Sequence, residues 1–248
     1  MGEELIAVAG GTGTVGKFVV EELERQGKHT RVLARSRGVD LITGRGLDDA
    51  LNGTTTIIDV SNLNTTNAKT SIGFFSTVAQ NLVTAGRKAG VQHLIALSIV
   101  GSDRIDFGYY MGKREQELIV SGSRLPWTVL RATQFFEFPQ ILARTRSPIV
   151  FAPRMRSQPI AAREVADQLV QLALTGPTWT TLEMSGPETI EIPDLTRRWI
   201  RHTGSSRPVM SFPVPGSAGR AMAGGELIPA EPAVRGTETF THWLSTRT

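Results

Sequence analysis

Leu5-Ile6-Ala7-Val8-Ala9-Gly10-Gly11-Thr12-Gly13-Thr14-Val15-Gly16 is the stretch that decides the fold of this chain. Five apolar residues run straight into a glycine turn. The residues after the turn have helical spacing, with Val15, Phe18, Val19 and Leu23 on one face before Gly27 ends the run. Gly11, Gly13 and Gly16 fit G-x-G-x-x-G, and Gly10, Gly13 and Gly16 also fit G-x-x-G-x-x-G. A dinucleotide site needs this arrangement for physical reasons. One glycine permits the tight turn, a second lets backbone approach a pyrophosphate with no Cβ in the way, and a third lets the helix pack closely on the strand. The helix N-terminus then offers free N–H groups and the positive end of its dipole to the anion.

Apolar runs of strand length alternate with helical patterns through the first 135 residues, which predicts a parallel sheet with crossover helices. Strands are expected at Leu5–Ala9, Thr30–Ala34, Val39–Thr43, Thr55–Val60, His93–Ser98 and Trp127–Arg131. Helices are expected over Thr14–Gln26, Leu47–Leu51, Phe74–Ala89 and Tyr109–Val120, with Ser61–Ser71 as a polar loop. After Phe138 the texture changes, and most of the thirteen prolines lie there. Arg163–Leu174 and Ile192–His202 read as helices and Thr181–Met184 as a strand, while Pro and Gly break any long periodicity between Arg207 and Gly236. The expectation is a nucleotide-binding core over residues 1–145. Residues 146–248 form a small irregular substrate-binding region packed on it, in one structural unit.

With 248 residues, 40% hydrophobic and 20% charged, the chain has the composition of an ordinary globular protein. It has no cysteine, which excludes disulfides, thiolate metal ligands and a cysteine nucleophile. The net charge of +4 comes from scattered arginines without aromatic interleaving, so no nucleic-acid partner is expected. No signal peptide fits Met1-Gly2-Glu3-Glu4, and apolar runs such as Leu94–Val100 fall far short of the ~20 residues of a membrane helix. A cytoplasmic protein, monomer or homodimer, with no membrane partner is the expectation. His29, His93, His202 and His242 are dispersed and predict no metal site. The chain has no G-x-S-x-G elbow, and its glycine turn lacks the Gly-Lys-Ser/Thr ending of an NTPase loop.

Where an NAD site carries an acidic residue for the ribose 2′-hydroxyl, this chain reads Ala34-Arg35-Ser36-Arg37, with no carboxylate before Asp40. Two guanidinium groups and a hydroxyl suit a 2′-phosphate through charge-assisted hydrogen bonds, which favours NADP(H). The chain's two tyrosines are adjacent, and Tyr109-Tyr110-Met111-Gly112-Lys113 fits Y-x-x-x-K. Positions i and i+4 share a helix face, so the Lys113 ammonium is expected near the Tyr109 phenol, lowering its pKa toward the range of a general acid. Tyr110 is the rival. Ser98, at the end of its strand, is expected to hydrogen-bond a substrate carbonyl, and Lys113 to hold the nicotinamide ribose as well.

Together these stretches, with Ser98-Ile99-Val100-Gly101 and Pro126-Trp127-Thr128-Val129-Leu130-Arg131-Ala132-Thr133-Gln134-Phe135, resemble an atypical short-chain dehydrogenase/reductase of the NmrA-like, NAD(P)H-binding branch. The resemblance runs over roughly residues 4 to 140. It implies a Rossmann core, a doubly wound parallel sheet of order 3-2-1-4-5-6-7. It places Thr12, Thr14 and Val15 at the pyrophosphate, Arg35 at the 2′-phosphate, Val60, Ser61 and Asn62 toward the ribose and nicotinamide, and Ala132, Thr133 and Phe135 on the nicotinamide side. Two departures stand out: Gly44-Arg45-Gly46-Leu47 replaces the family's Gly-Asp-Leu, and Arg131-Ala132 replaces Arg-Pro. The expected function is NADPH-dependent reduction of a carbonyl or quinone on a small organic substrate. A non-catalytic NADP(H) sensor, or a non-redox epimerase or dehydratase, is the alternative.

Overall fold

The apolar run before the glycine turn forms the strand expected of it. In the computed structural model, which describes residues 4–247, the chain runs β1 (Leu5–Ala9), α1 (Thr14–Arg25), β2 (His29–Leu33), a 3₁₀ turn (Arg35–Arg37), α2 (Leu47–Ala50), β3 (Thr54–Asp59), α3 (Ala68–Ala89), β4 (His93–Ile99), α4 (Gly108–Ser121), β5 (Trp127–Ala132) and α5 (Phe138–Ala143). It continues through β6 (Val150–Pro153), β7 (Arg156–Ser157), α6 (Ala162–Thr175), β8 (Thr181–Ser185), β9 (Ile190–Glu191), α7 (Ile192–His202), β10 (Val209–Phe212), α8 (Gly216–Gly224), β11 (Val234–Arg235) and α9 (Phe240–Ser245). Seven strands form one parallel sheet in the order β11-β8-β5-β4-β3-β1-β2. With helices joining successive strands this is the expected Rossmann-type α/β fold.

One expected strand is absent. No strand forms over residues 39–43, where residues 41–43 are a turn, and β2 is the sheet edge. The reason is Asp40, whose carboxylate accepts the backbone N–H of Ile42 (2.9 Å) and of Thr43 (3.3 Å), while its carbonyl accepts from Gly44 (2.9 Å). A short acidic side chain that bonds its own backbone two residues on folds a turn in preference to a strand. Val39 still buries its side chain in the core, and Leu41 packs against it. A second difference is the start of α3, at Ala68 inside the segment expected to be loop. Asn67 caps it by accepting the Thr70 N–H at 2.9 Å.

The chain divides into two compact units that interleave along the sequence. The first comprises residues up to Ser98, Phe107–Arg131 and Val165–Leu182. Its core includes Leu33, Leu47, Leu51, Ile57, Val78, Leu82, Leu94 and Val129, each at most 1% exposed. Truncating such a leucine to alanine costs about 2–5 kcal/mol. Helices α3 and α4 pack closely because position 112 is glycine. A Cβ there would stand 2.1 Å from Ser71 Oγ and 2.7 Å from the Phe75 ring.

The second unit comprises Ile99–Asp106, Ala132–Glu164 and the chain from Glu183 onward. Here β6 pairs with β10 in parallel and β7 with β9 antiparallel. Phe136, Phe240, Trp243 and Trp199 form an aromatic cluster with neighbouring ring centroids 5.3–5.8 Å apart. Glu164, in the first turn of α6, accepts the backbone N–H of Thr237 (2.6 Å) and Glu238 (3.1 Å) and so fixes that late segment. The stretch between Arg207 and Gly236, expected to be irregular, contains β10, α8 and β11. The four residues of β10 lie between Pro208 and Pro213, too short a run to show a period. Among the described residues no helix is long and apolar enough to cross a membrane.

Candidate nucleotide and reaction site

The glycine turn is built around two contacts that a side chain would destroy. Gly10 has φ +79°, and a Cβ on it would lie 2.8 Å from the Cα and N of Ser61. Gly16 packs so tightly that its Cβ would stand 2.2 Å from the Gly10 carbonyl oxygen. That oxygen accepts the Gly13 N–H at 2.9 Å, which closes the turn. Helix α1 therefore begins at Thr14 with Gly13 as its N-cap, without a side-chain cap and without an acidic residue in the first turn. Its first N–H groups have no partner within the helix, and its dipole end meets no carboxylate of its own. Thr12, Gly13 and Thr14 are exposed there, whereas the Val15 side chain is buried in the core, so only its backbone is available to an anion.

The 3₁₀ turn after β2 places Arg35, Ser36 and Arg37 together on the surface. Neither guanidinium has a hydrogen-bond or ion-pair partner among the described residues. Asp40, the first carboxylate after β2, is engaged by the Ile42 and Thr43 amides, which hold it below the usual carboxylate range. Arg35 attracts the Asp40 carboxylate only through space, so two exposed cationic groups stand at the position where an NAD site would present an acid.

Val60 and Ser61 are buried at the end of β3, and the Ser61 hydroxyl has no hydrogen-bond partner among the described residues. A buried orphan hydroxyl against the glycine turn, with the absence of any Cβ at Gly10 and Gly16, fits a bound dinucleotide. Asn62 is exposed and accepts the Tyr109 O–H at 2.9 Å. Ala132 and Thr133 are buried and Phe135 half-buried; all three belong to the second unit. There the Thr133 hydroxyl donates to the Gln158 carbonyl, and Phe135 bridges to Ile160.

Tyr109, Lys113 and Ser98 each have a defined position in the first unit. Tyr110 is buried (3% exposed) and Tyr109 is half-buried, its ring edge-on to Phe75 at 5.7 Å. Lys113 is buried and points back toward β4. Its Nζ donates to the Leu97 carbonyl and to Gln116 Oε1, both at 2.9 Å, and lies 4.2 Å from the Phe75 ring centroid. Burial lowers its pKa to about 8, with Asp59 and Glu117 opposing the shift. Burial pushes the Tyr109 phenol above its ordinary value, opposite to the lowering expected from Lys113. The i,i+4 spacing shares a face, but the ammonium finds its acceptors at β4 and Gln116. Ser98 Oγ donates to Glu117 Oε1, which Arg131 also holds through Nε at 3.0 Å, while Arg131 Nη2 bonds Glu117 Oε2 at 2.7 Å.

Four residues of this network had no place in the sequence reading of the site: Asp59, Gln116, Glu117 and Arg131. Gln116 Nε2 donates to Asp59 Oδ2 at 2.7 Å, and Asp59 Oδ1 accepts the Ser61 N–H at 2.9 Å. The available signal was position alone, since Gln116 and Glu117 lie three and four residues after Lys113, on the same helix face. A shallow depression of about 290 Å³ between α2 and α3, bordered by Asp48, Asn81 and Lys88, includes none of these groups. Among the described residues no cluster of His, Asp and Glu could hold a metal ion.

Residues 10–175 match the model of the NAD(P)H-binding family. The chain belongs to that family. It is 28% identical over 228 residues to a (4-alkanoyl-5-oxo-2,5-dihydrofuran-3-yl)methyl phosphate reductase of Streptomyces griseus subsp. griseus, covering 81% of this chain and 74% of that one. Its fold is that of an NADPH-dependent quinone oxidoreductase from Escherichia coli complexed with NADPH, with 17% identity, a TM-score of 0.74, and 97% and 99% of the two chains covered. A nucleoside-diphosphate-sugar epimerase from Staphylococcus aureus shares the fold at 17% identity, with a TM-score of 0.70 and the same coverage. At these identities the solved structures speak for the fold alone.

Proposed function

We propose that this protein is an NADPH-dependent oxidoreductase that reduces a carbonyl or quinone group of a small organic substrate. The observation that carries the reading is Lys113, a buried ammonium held beneath the end of β4 one helical turn after the half-buried phenol of Tyr109. The phosphate reductase of Streptomyces griseus, 28% identical over 228 residues, supports the reaction class.

In this reading the Thr14, Val15 and Gly16 N–H groups take the pyrophosphate, and Arg35 with Ser36 takes the 2′-phosphate, which selects NADPH over NADH. Ser61 and Lys113 face the ribose. Bound NADPH supplies a hydride from C4 of its nicotinamide. The chain's own chemistry is then the proton. Burial keeps Tyr109 protonated at neutral pH, so it acts as a hydrogen-bond donor to the substrate oxygen. It gives up the proton only to an oxygen more basic than itself, such as the alkoxide that forms as a ketone is reduced. Before substrate arrives, Asn62 accepts that hydrogen bond. We assign dinucleotide binding to residues 1–145 and substrate selection to residues 146–248.

A cofactor sensor without turnover is the second reading, and Ser98 favours it. Its hydrogen is directed to Glu117, so it does not offer a substrate carbonyl the donor expected of it. Steady NADPH oxidation across a panel of ketones, aldehydes and quinones separates the two. Turnover with any member supports the oxidoreductase; tight NADPH binding with no turnover across the panel supports the sensor.

A further inference from the structure

Gln116 is completely buried, and both ends of its amide are matched to a charge of the correct sign. The carbonyl oxygen accepts from the Lys113 ammonium at 2.9 Å, and the amide nitrogen donates to the Asp59 carboxylate at 2.7 Å. Asp59, 1% exposed, passes the constraint on, since its other oxygen fixes the Ser61 N–H. The Ser61 backbone is in turn the surface against which Gly10 packs. One side chain on α4 therefore connects the buried ammonium, the end of β3 and the glycine turn, all within the first unit.

We propose that Gln116 is a positioning residue for the bound dinucleotide: it holds Lys113 by its amide oxygen and, through Asp59, holds the Ser61 turn that borders Gly10. The inference rests on the reading that Lys113 serves the dinucleotide. The alternatives at this position show what the amide contributes. A glutamate keeps an oxygen for Lys113 but sets a carboxylate against Asp59. A methionine fills the same volume, leaves Asp59 Oδ2 buried without a donor, and leaves Lys113 with Leu97 O as its one oxygen acceptor. A direct Lys113–Asp59 pair would turn the ammonium toward Asp59; the amide between them keeps the charges apart. Two of the three Lys113 N–H donors are then engaged at oxygens, and the ammonium also lies 4.2 Å from the Phe75 ring centroid.

The groups that set the Lys113 titration come from every element around it. The charges that act on it are Asp59 on β3 and Glu117 on its own helix; Tyr109 shares that helix, Arg131 on β5 is paired with Glu117, and α3 presents the uncharged Phe75 ring. Against this background, removing an acceptor of the charged form lowers the Lys113 midpoint, and adding a carboxylate raises it.

The experiment is an NMR titration of 13C-lysine-labelled protein from about pH 6.5 to about 9.5 for wild type, Gln116→Met and Gln116→Glu, with NADPH affinity measured by fluorescence on the same samples. Gln116→Met should move the Lys113 midpoint down by about half a pH unit or more and weaken NADPH binding about fivefold, the worth of one net hydrogen bond. Gln116→Glu, one atom different, should move the midpoint up. A residue that merely fills space would change the melting temperature and leave the titration in place. Unmoved Lys113 midpoints in both variants, or wild-type NADPH affinity in both, would overturn the proposal. Failure of the wild type to bind NADPH would instead defeat the functional reading, and the Lys113 titration would still decide whether Gln116 positions the ammonium.

Discussion

Arg131 holds Glu117 with two parallel donors, Nε to one carboxylate oxygen at 3.0 Å and Nη2 to the other at 2.7 Å, and both side chains are nearly buried. A pair like this is strongly destabilising to break from one side, because the remaining charge stays buried without compensation. Arg131→Met should therefore cost about 3–5 kcal/mol in urea unfolding, while Arg131→Met combined with Glu117→Leu should recover much of the loss. A single variant within about 1 kcal/mol of wild type would show that the pair is solvated.

Gly16→Ala should weaken NADPH binding at least tenfold, by about 1.4 kcal/mol or more, because its Cβ would displace the Gly10 carbonyl that closes the turn. Gly73→Ala is the matched control. It lies within α3 with open space around the Cβ position, and alanine there should be neutral or stabilise by up to about 1 kcal/mol. Fluorescence titration and thermal melts of both variants check the pair. Equal NADPH affinity in the two variants would mean the turn can relax.

The glycine turn and the helix Ile192–His202 were legible because the information is local: a turn without Cβ atoms, a 3.6-residue period, a proline near the start. Residues 39–43 were misread because the Val39, Leu41, Thr43 alternation competes with the Asp40 side chain, and the carboxylate wins. The start of α3 was hidden because its cap and first turn are polar. The site's network was not legible at all. Gln116 and Asp59 are 57 residues apart and Arg131 and Glu117 are 14 apart, and no local pattern announces either pair. The same long-range acceptors redirect Lys113 away from the partner that helical spacing alone assigns to it.

Arg35→Asp should reduce the preference for NADPH over NADH, since it replaces an exposed cation at the 3₁₀ turn by an anion. The loss of attraction and the new repulsion together should lower the affinity ratio by about a factor of 10–100. Dissociation constants for both dinucleotides measure it. An unchanged ratio would move the 2′-phosphate contact elsewhere.

His93 carries a pH signature. It is 2% exposed, its Nε2 lies 2.9 Å from Thr128 Oγ1, and its Nδ1 has no partner among the described residues. Burial lowers its pKa from 6.5 to about 4. Between those values the unfolded chain binds a proton that the folded one refuses, so the contribution is intact above pH 6.5 and is lost as the pH falls toward 4. Unfolding free energies across that window should fall more steeply for wild type than for His93→Gln. Parallel curves would place the acid sensitivity in other groups.

Tyr109→Phe separates the two substrate classes. The variant loses the O–H that meets Asn62 but keeps the ring against Phe75, so NADPH affinity should stay within about twofold of wild type. Reduction of a ketone leaves an alkoxide, a base strong enough to take a proton from a phenol whose pKa burial has raised. Loss of that donor should lower kcat for a ketone by about 10²–10⁴-fold. A quinone becomes a hydroquinone anion, whose basicity is close to that of a phenolate and which water can protonate after the transfer. Quinone turnover should therefore fall by less than about tenfold in the same variant. A large, equal loss for both substrates would assign Tyr109 to holding the substrate, and no loss for either would remove it from the chemistry.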